Sequence, residues 1–270
     1  MRDVSRLVLL GHPVSHSLSP AMQNAALAAA GIPVRYEAID VPADSLAATV
    51  EQLVRERAAG NVTIPHKAAF AGLCDELTMI AEQVGVVNTW WVDDGRLIGD
   101  NTDVFGAHAA AQEVLGHTPY AERVAVIGTG GAAAAVLAAV SSWPRSSATV
   151  HGRNRARLEE ICLQFPDVAR ATPVMESAVR DATLLVNATP IGLRDDRHPV
   201  PVGSLPPDAA VLDLVYRDGG TSWVNAARAR GHRATDGLTM LLEQGALAFE
   251  RWFGVNPDRI VMRAALGRTA

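Results

Sequence analysis

Residues 122–140, ERVAVIGTGGAAAAVLAAV, carry an apolar run, a glycine turn and an alanine-rich helical stretch with nothing between them. No other part of the chain constrains the fold as strongly. A run of Val, Ala and Ile without polar alternation reads as a strand buried on both faces, as in parallel sheets covered by helices. A helix that follows at once must return over the sheet, so the segment reads as half of a βαβ unit. The turn GTGGAA (128–133) has the spacing G-x-G-x-x-A in the strand-to-helix setting where the pattern has meaning. Gly128 permits the tight turn, and Gly130, with Gly131 and Ala132 beside it, brings bare backbone to a pyrophosphate. Ala133 holds the helix near the strand, and the helix N-terminus offers free N–H groups and a positive dipole end. An ordinary glycine-rich connection competes with this reading, and the turn alone does not decide.

The strand after that helix does. A fold selective for NAD places an Asp or Glu about 20 residues on, to hold the ribose 2′-hydroxyl. Here that position reads VHGRNRARLEE, with Arg153, Arg155 and Arg157 and no acid before Glu159. A carboxylate repels a 2′-phosphate, whereas guanidinium groups grip one through paired donors. Cations at a helix start oppose its dipole, which favours a functional reason for them. The expected cofactor is NADP(H), held by Arg153 and Arg157, with Arg155 turned away.

Along the rest of the chain, short β-rich runs alternate with Ala/Leu-rich helical stretches, a pattern of α/β architecture. RLVLL (6–10) reads as a strand. SPAMQNAALAAAG (19–31) reads as a helix with Ser19 as its cap, Pro20 in its first turn and Gly31 as its stop. VRYEAIDV (34–41) is a strand, followed by a helix over about 44–59, then NVTIP (61–65) as a buried strand ended by Pro65. Residues 85–101 form a hairpin around Asp94-Gly95, in which one of Trp90 and Trp91 is expected in the core and the other on the surface or in hairpin packing. The expected fold class is α/β with two domains and a cleft between them. Residues 1–103 with 238–270 make an N-terminal α/β substrate domain completed by C-terminal helices, and 104–237 a Rossmann-type NADP-binding domain.

The chain has 23 arginines and a single lysine, Lys67, in GNVTIPHKAAF. An ammonium can release its proton near neutral pH where partial burial favours the neutral form, which a guanidinium cannot. Lys67 follows a strand-end proline, and strand C-termini line clefts in open α/β sheets. Survival of one surface lysine by chance is the competing account. A proton-transferring lysine needs a carboxylate to set its charge state. GDNTD (99–103) supplies Asp100 and Asp103, and spacing does not choose between them.

A net charge of −5 with 49% hydrophobic residues argues for a globular chain without a nucleic-acid or anionic-membrane partner. No leader-like segment opens the chain and no apolar run reaches the length of a membrane span, so a cytoplasmic setting is expected. Cys74 and Cys162 stand alone, and His12, His16 and His66 lack metal-ligand spacing, so no metal is expected.

HSLSP (16–20), NVTIPHK (61–67), GVVNT (85–89), GDNTD (99–103), GTGGA (128–132), NATPIG (187–192), LVY (214–216) and DGLTMLLEQGALAF (236–249) occur in this order over nearly the whole chain. In this set the sequence resembles the shikimate dehydrogenases. The resemblance implies NADPH-dependent reduction of 3-dehydroshikimate, a small-molecule substrate, by a monomer or homodimer. It implies Lys67 and Asp103 as the catalytic pair and Ser17 and Ser19 as ligands of the substrate carboxylate. Thr63, Asn88 and Asp103 would meet ring hydroxyls, with Tyr216 and Gln244 closing the substrate in. Ala188, Thr189, Gly237 and Met240 would border the cofactor. The chain departs from the family pattern at Val104, where glycine is frequent, at Thr129 in the glycine turn, and at Gly152, where the pattern has asparagine. The alternatives are a quinate/shikimate or aminoshikimate dehydrogenase and a non-catalytic NADP-binding sensor.

Overall fold

The computed structural model describes residues 4–267, and the chain divides into two compact units. One runs to Thr102 and resumes at Leu241; the other spans Asp103–Met240.

The first unit opens with β1 (Leu7–Gly11), α1 (Ser19–Ala29), β2 (Tyr36–Asp40), α2 (Leu46–Arg55) and β3 (Ala59–Val62). It continues through α3 (Lys67–Ala71), β4 (Glu76–Leu77), α4 (Met79–Val84), β5 (Thr89–Asp93) and β6 (Arg96–Asp100). The sheet order is β2-β1-β3-β5-β6-β4. β1 pairs in parallel with β2 and β3, whereas β5 runs antiparallel to β3 and β6. Asp94 and Gly95 form the β5–β6 turn with φ of 47° and 77°. Positive φ at both positions is the geometry that matches strand twist in a two-residue hairpin. Both tryptophans of β5 are buried, so the second is packed rather than on the surface: Trp90 is 0% and Trp91 6% exposed. The alternating faces of this strand are both covered, and Phe70 packs on Trp90 at 5.5 Å between ring centroids.

Three expected boundaries move. The residue preceding α1 is Leu18, so Ser19 is already helical and its N–H donates to Ser17 Oγ at 3.2 Å. α2 ends at Arg55, because Ala58 and Ala59 already lead into β3. β3 ends at Val62, and Thr63–His66 forms a loop from which Lys67 opens α3.

The second unit comprises α5 (Asp103–Leu115), β7 (Arg123–Ile127), α6 (Gly131–Ser141), β8 (Ser147–His151), α7 (Arg155–Gln164), β9 (Ala169–Thr172) and α8 (Met175–Val179). β10 (Leu184–Asn187), β11 (Ala210–Asp213), α9 (Ser222–Ala229) and β12 (Ala234–Thr235) follow. Its six strands lie in the order β12-β11-β10-β7-β8-β9, every pair parallel. Counted from β7, this is the doubly wound dinucleotide-binding order, with its switch point between β7 and β10. Helix α6 is apolar all round because it lies between α5 and the sheet, which accounts for its run of alanines.

α10 (Leu238–Phe253) leads from the second unit into the first, and α11 (Arg259–Leu266) packs against α1. Trp252 of α10 donates its Nε1–H to the Trp90 carbonyl at 3.1 Å. Among the described residues, no helix is long and apolar enough to cross a membrane.

Candidate active site

Asn88 is the polar centre of the first unit. It is 2% exposed, directly before β5. Its Nδ2 donates to Thr102 Oγ1 at 3.0 Å and to Gln244 Oε1 at 3.2 Å, and its Oδ1 accepts the Thr102 N–H at 2.7 Å. The Asn88 carbonyl accepts from Asn61 Nδ2, whose Oδ1 in turn holds the buried Tyr36 hydroxyl at 2.7 Å. Burial leaves that phenol well above its ordinary pKa, so it stays a neutral donor. Gln244 is itself fixed by Nε2 donating to the Leu241 carbonyl at 2.8 Å. The network therefore joins two residues singled out from the sequence, Asn88 and Gln244, although they lie 156 positions apart. Buried amides held on several sides are rigid, which suits hydrogen-bond selection of a polar substrate.

Lys67 is half-buried at the first turn of α3. Its carbonyl accepts the Val87 N–H at 3.1 Å, so the backbone here serves the fold independently of the side chain. Thr63 is half-buried in the preceding loop, where its carbonyl accepts from His66 N–H. His66 is buried with Nε2 2.6 Å from the Val41 carbonyl, a structural contact. Asp100 is committed to structure: it binds Thr78 Oγ1 and the Asn101 N–H, and pairs with Arg251 at 2.9 Å. Asp103 begins α5 in the second unit and is 4% exposed.

The glycine turn of the second unit fits a dinucleotide. Gly128 has φ +128°, and a Cβ there would stand 2.6 Å from the Ala188 carbonyl oxygen, so the ends of β7 and β10 approach over bare backbone. Gly128→Ala is expected to destabilise by more than about 1 kcal/mol, read as a drop in the urea midpoint, and to weaken NADPH binding. Gly130 precedes α6 without any side-chain cap, and a Cβ there would meet open space. The first-turn N–H groups of α6, including those of Gly131 and Ala132, thus have no side-chain cap and could bind an anion. At the end of β8, Asn154 caps α7 by accepting the Arg157 N–H at 3.1 Å. Arg155 pairs with Glu159 at 2.9 Å, whereas Arg153 and Arg157 are exposed and make no ion pair with a described residue. An uncapped helix start and two uncommitted guanidinium groups fit the diphosphate and 2′-phosphate of NADP(H).

Sequence reading missed the anchor of the remaining strand ends. Asp213, 0% exposed, closes β11 and accepts from Asn187 Nδ2 at 2.8 Å, Val215 N–H at 3.1 Å and Thr221 Oγ1 at 2.7 Å. Asn187 Oδ1 in turn accepts from Thr189 N–H and Oγ1, which shapes the half-buried Ala188–Thr189 corner. Gly237 donates its N–H to the Val215 carbonyl at 3.1 Å, and a Cβ there would lie 2.3 Å from the Leu214 carbonyl oxygen. The chain just before Tyr216 is thereby tied to Gly237, with Met240 buried three residues on. A carboxylate ending an otherwise apolar strand, AAVLD, was the available signal.

Comparison with known proteins follows the same geography. Residues 9–90 match the model of the shikimate dehydrogenase substrate binding domain, and 237–266 that of the shikimate 5′-dehydrogenase C-terminal domain. A shikimate dehydrogenase (NADP(+)) of Methylocella silvestris is 40% identical over 257 residues, 93% of this chain and 91% of the relative. The crystal structure of shikimate 5-dehydrogenase from Thermus thermophilus, in complex with NADP(H) and shikimate, superposes with a TM-score of 0.88 at 37% identity. It covers 98% of this chain and 99% of that one. Quinate dehydrogenase from Corynebacterium glutamicum in complex with NAD shares the fold with a TM-score of 0.88 at 29% identity, covering 98% and 99%. The chain belongs to the shikimate dehydrogenase family.

Proposed function

We propose that the chain is an NADP-dependent oxidoreductase that reduces 3-dehydroshikimate reversibly to shikimate, in the pathway to chorismate and the aromatic amino acids. The observation that carries this is near full-length likeness to NADP(+) shikimate dehydrogenases in a chain whose only lysine stands in the NVTIPHK motif. Bound NADPH supplies the hydride for the substrate ketone carbon. Lys67, as ammonium, stabilises the developing alkoxide and delivers a proton to its oxygen. Asp103 holds the amine and a substrate hydroxyl; the engagement of Asp100 by Thr78, Asn101 and Arg251 supports this choice. Ser17 and Ser19 donate to the substrate carboxylate, Thr63 and Asn88 meet its ring hydroxyls, and Tyr216 and Gln244 close it in. Ala188, Thr189, Gly237 and Met240 line the nicotinamide end.

The reading extends to a cytoplasmic monomer or homodimer acting on small molecules. Sedimentation of the purified chain measures its assembly state.

The activity test follows oxidation of NADPH and NADH with 3-dehydroshikimate, and reduction of NADP+ and NAD+ with shikimate and quinate. Turnover of 3-dehydroshikimate with NADPH is expected. Exclusive turnover of quinate would reassign the substrate, and no oxidation of either cofactor would leave a sensor role in front. Arg153→Ala is expected to raise KM for NADPH about tenfold with little change for NADH, because it removes a charge-assisted contact to the 2′-phosphate alone. Equal effects on both cofactors would overturn that assignment.

A further inference from the structure

Two departures from the family pattern, Thr129 and Gly152, meet in space. Strands β7 and β8 are parallel neighbours with Ile127 opposite His151, and the Gly128 N–H donates to the His151 carbonyl at 2.8 Å. The residues that follow each strand therefore face one another. A Cβ built on Gly152 would stand 2.5 Å from Thr129 Cγ2 and 3.6 Å from Thr129 Oγ1, and its three nearest atoms all belong to that threonine. Gly152 does not have a positive φ, so backbone conformation does not call for glycine there. Room for the Thr129 side chain does. Thr129 is half-buried, and its hydroxyl makes no hydrogen bond to a described residue. The adjacent Arg153 is exposed and unpaired among the described residues, as is Arg157 in the first turn of α7. A hydroxyl from the first turn and two guanidinium groups from the second strand end thus border the place where a doubly wound sheet receives the adenosine ribose.

We propose that Thr129 is a specificity-determining residue for the 2′-phosphate of the dinucleotide. Its hydroxyl supplies, from the glycine turn, the polar contact that residue 152 lacks, and the two positions work as one coupled pair. A neutral hydroxyl donates to a phosphate oxygen without adding charge, which complements Arg153, while the Cγ2 methyl, the Thr129 atom nearest a side chain at residue 152, takes up the room such a side chain would need. This rests on the NADP reading of the function.

The test is titration calorimetry of the full chain with adenosine 2′,5′-bisphosphate and with adenosine 5′-monophosphate, with melting curves as a check on folding. Thr129→Val keeps the shape and loses the hydroxyl; bisphosphate affinity is expected to fall about tenfold while monophosphate affinity holds. Thr129→Ser keeps the hydroxyl and removes Cγ2, and is expected to bind the bisphosphate as the wild type does. Gly152→Ala should weaken bisphosphate binding in the wild-type background and do so far less with Thr129→Ser, since the obstructing methyl is gone. Thr129→Val binding the bisphosphate like wild type, or losing both ligands equally, overturns the role of the hydroxyl. Additive effects of Gly152→Ala and Thr129→Ser overturn the coupling. Either failure alongside intact NADPH-dependent turnover leaves the proposed function standing. A wild-type chain that does not distinguish the two nucleotides removes both readings.

Discussion

Lys67→Arg is expected to fold like the wild type and to lose about 10²–10⁴ of kcat for 3-dehydroshikimate reduction, the span associated with a positioned general acid. Folding should survive because arginine keeps the positive charge of residue 67, whose carbonyl still accepts from Val87 and whose backbone still opens α3. Chemistry should not, because a guanidinium keeps the charge but is bulkier, planar and retains its proton at any physiological pH. Lys67→Ala should lose at least as much, with NADPH affinity unchanged, since the glycine turn and Arg153 lie in the other unit. Initial rates at saturating NADPH, with cofactor binding measured separately by fluorescence, decide the matter. An arginine variant that turns over at the wild-type rate would mean that the solitary lysine is only a relic of an arginine-rich composition.

The second large effect concerns stability against pH. Burial pushes the Asp213 carboxyl up to about 6, against the opposing pull of hydrogen bonds from Thr221, Asn187 and Val215, and the charge of Asp236 pushes the same way as burial. A carboxyl whose folded pKa is raised contributes stability that is fully present below the ordinary carboxylate range. That contribution is lost as pH rises from about 4 through about 6. Moving that carboxyl from its ordinary value to about 6 corresponds to about 3 kcal/mol across that interval. Asp213→Asn cannot titrate, so its urea-unfolding free energy should lose this component of the slope between pH 4 and 6. Near pH 7 the amide should stay close to wild type, because it keeps its carbonyl for Asn187 and Val215 while no longer burying a charge. Asp213→Ala leaves three buried donors without their acceptor and should cost about 3 kcal/mol or more. It should also raise KM, since the Ala188–Thr189 corner and the chain around Tyr216 lose their common anchor. Identical pH slopes in wild type and Asp213→Asn would show that Asp213 does not titrate in the folded chain.

Much of this architecture was readable from residue order because the decisive signals are local. The apolar VAVI run, the GTGGAA turn and the alanine helix force a parallel strand–helix unit, and the Asp94-Gly95 turn declares its hairpin. Four elements of five residues or fewer stayed hidden: α3, α8, β4 and β9 are too short to display a period, and tertiary packing sustains them. α4, at six residues, escaped for the same reason, although Thr78 caps it through Ala81 N–H. Sequence left the second β5 tryptophan between the surface and hairpin packing because alternation reports two faces and does not say whether the second is covered. Within the candidate site, Asn88 and Gln244 were named from motif resemblance, but their direct hydrogen bond is a long-range fact that spacing cannot carry. Asp213 was passed over because a carboxylate beside an apolar run looks like a strand terminus until its three donors are seen. Spacing likewise did not choose between Asp100 and Asp103; the resemblance pointed to Asp103, and the structural partners of Asp100, among them an arginine 151 positions away, are long-range.

The first unit is assembled from both ends of the chain, and this sets an order of events during synthesis. Everything the second unit needs lies in one uninterrupted stretch, so it can complete itself on the ribosome. The first unit emerges earlier but cannot finish. Until translation reaches Gln244 and Trp252, the Asn88 amide lacks one partner and the Trp90 carbonyl its indole donor. The part made first is the part completed last, so nascent chains expose the apolar sheet face that α10 later covers. Moving the helices α10 and α11 ahead of β1 by circular permutation should shorten that interval.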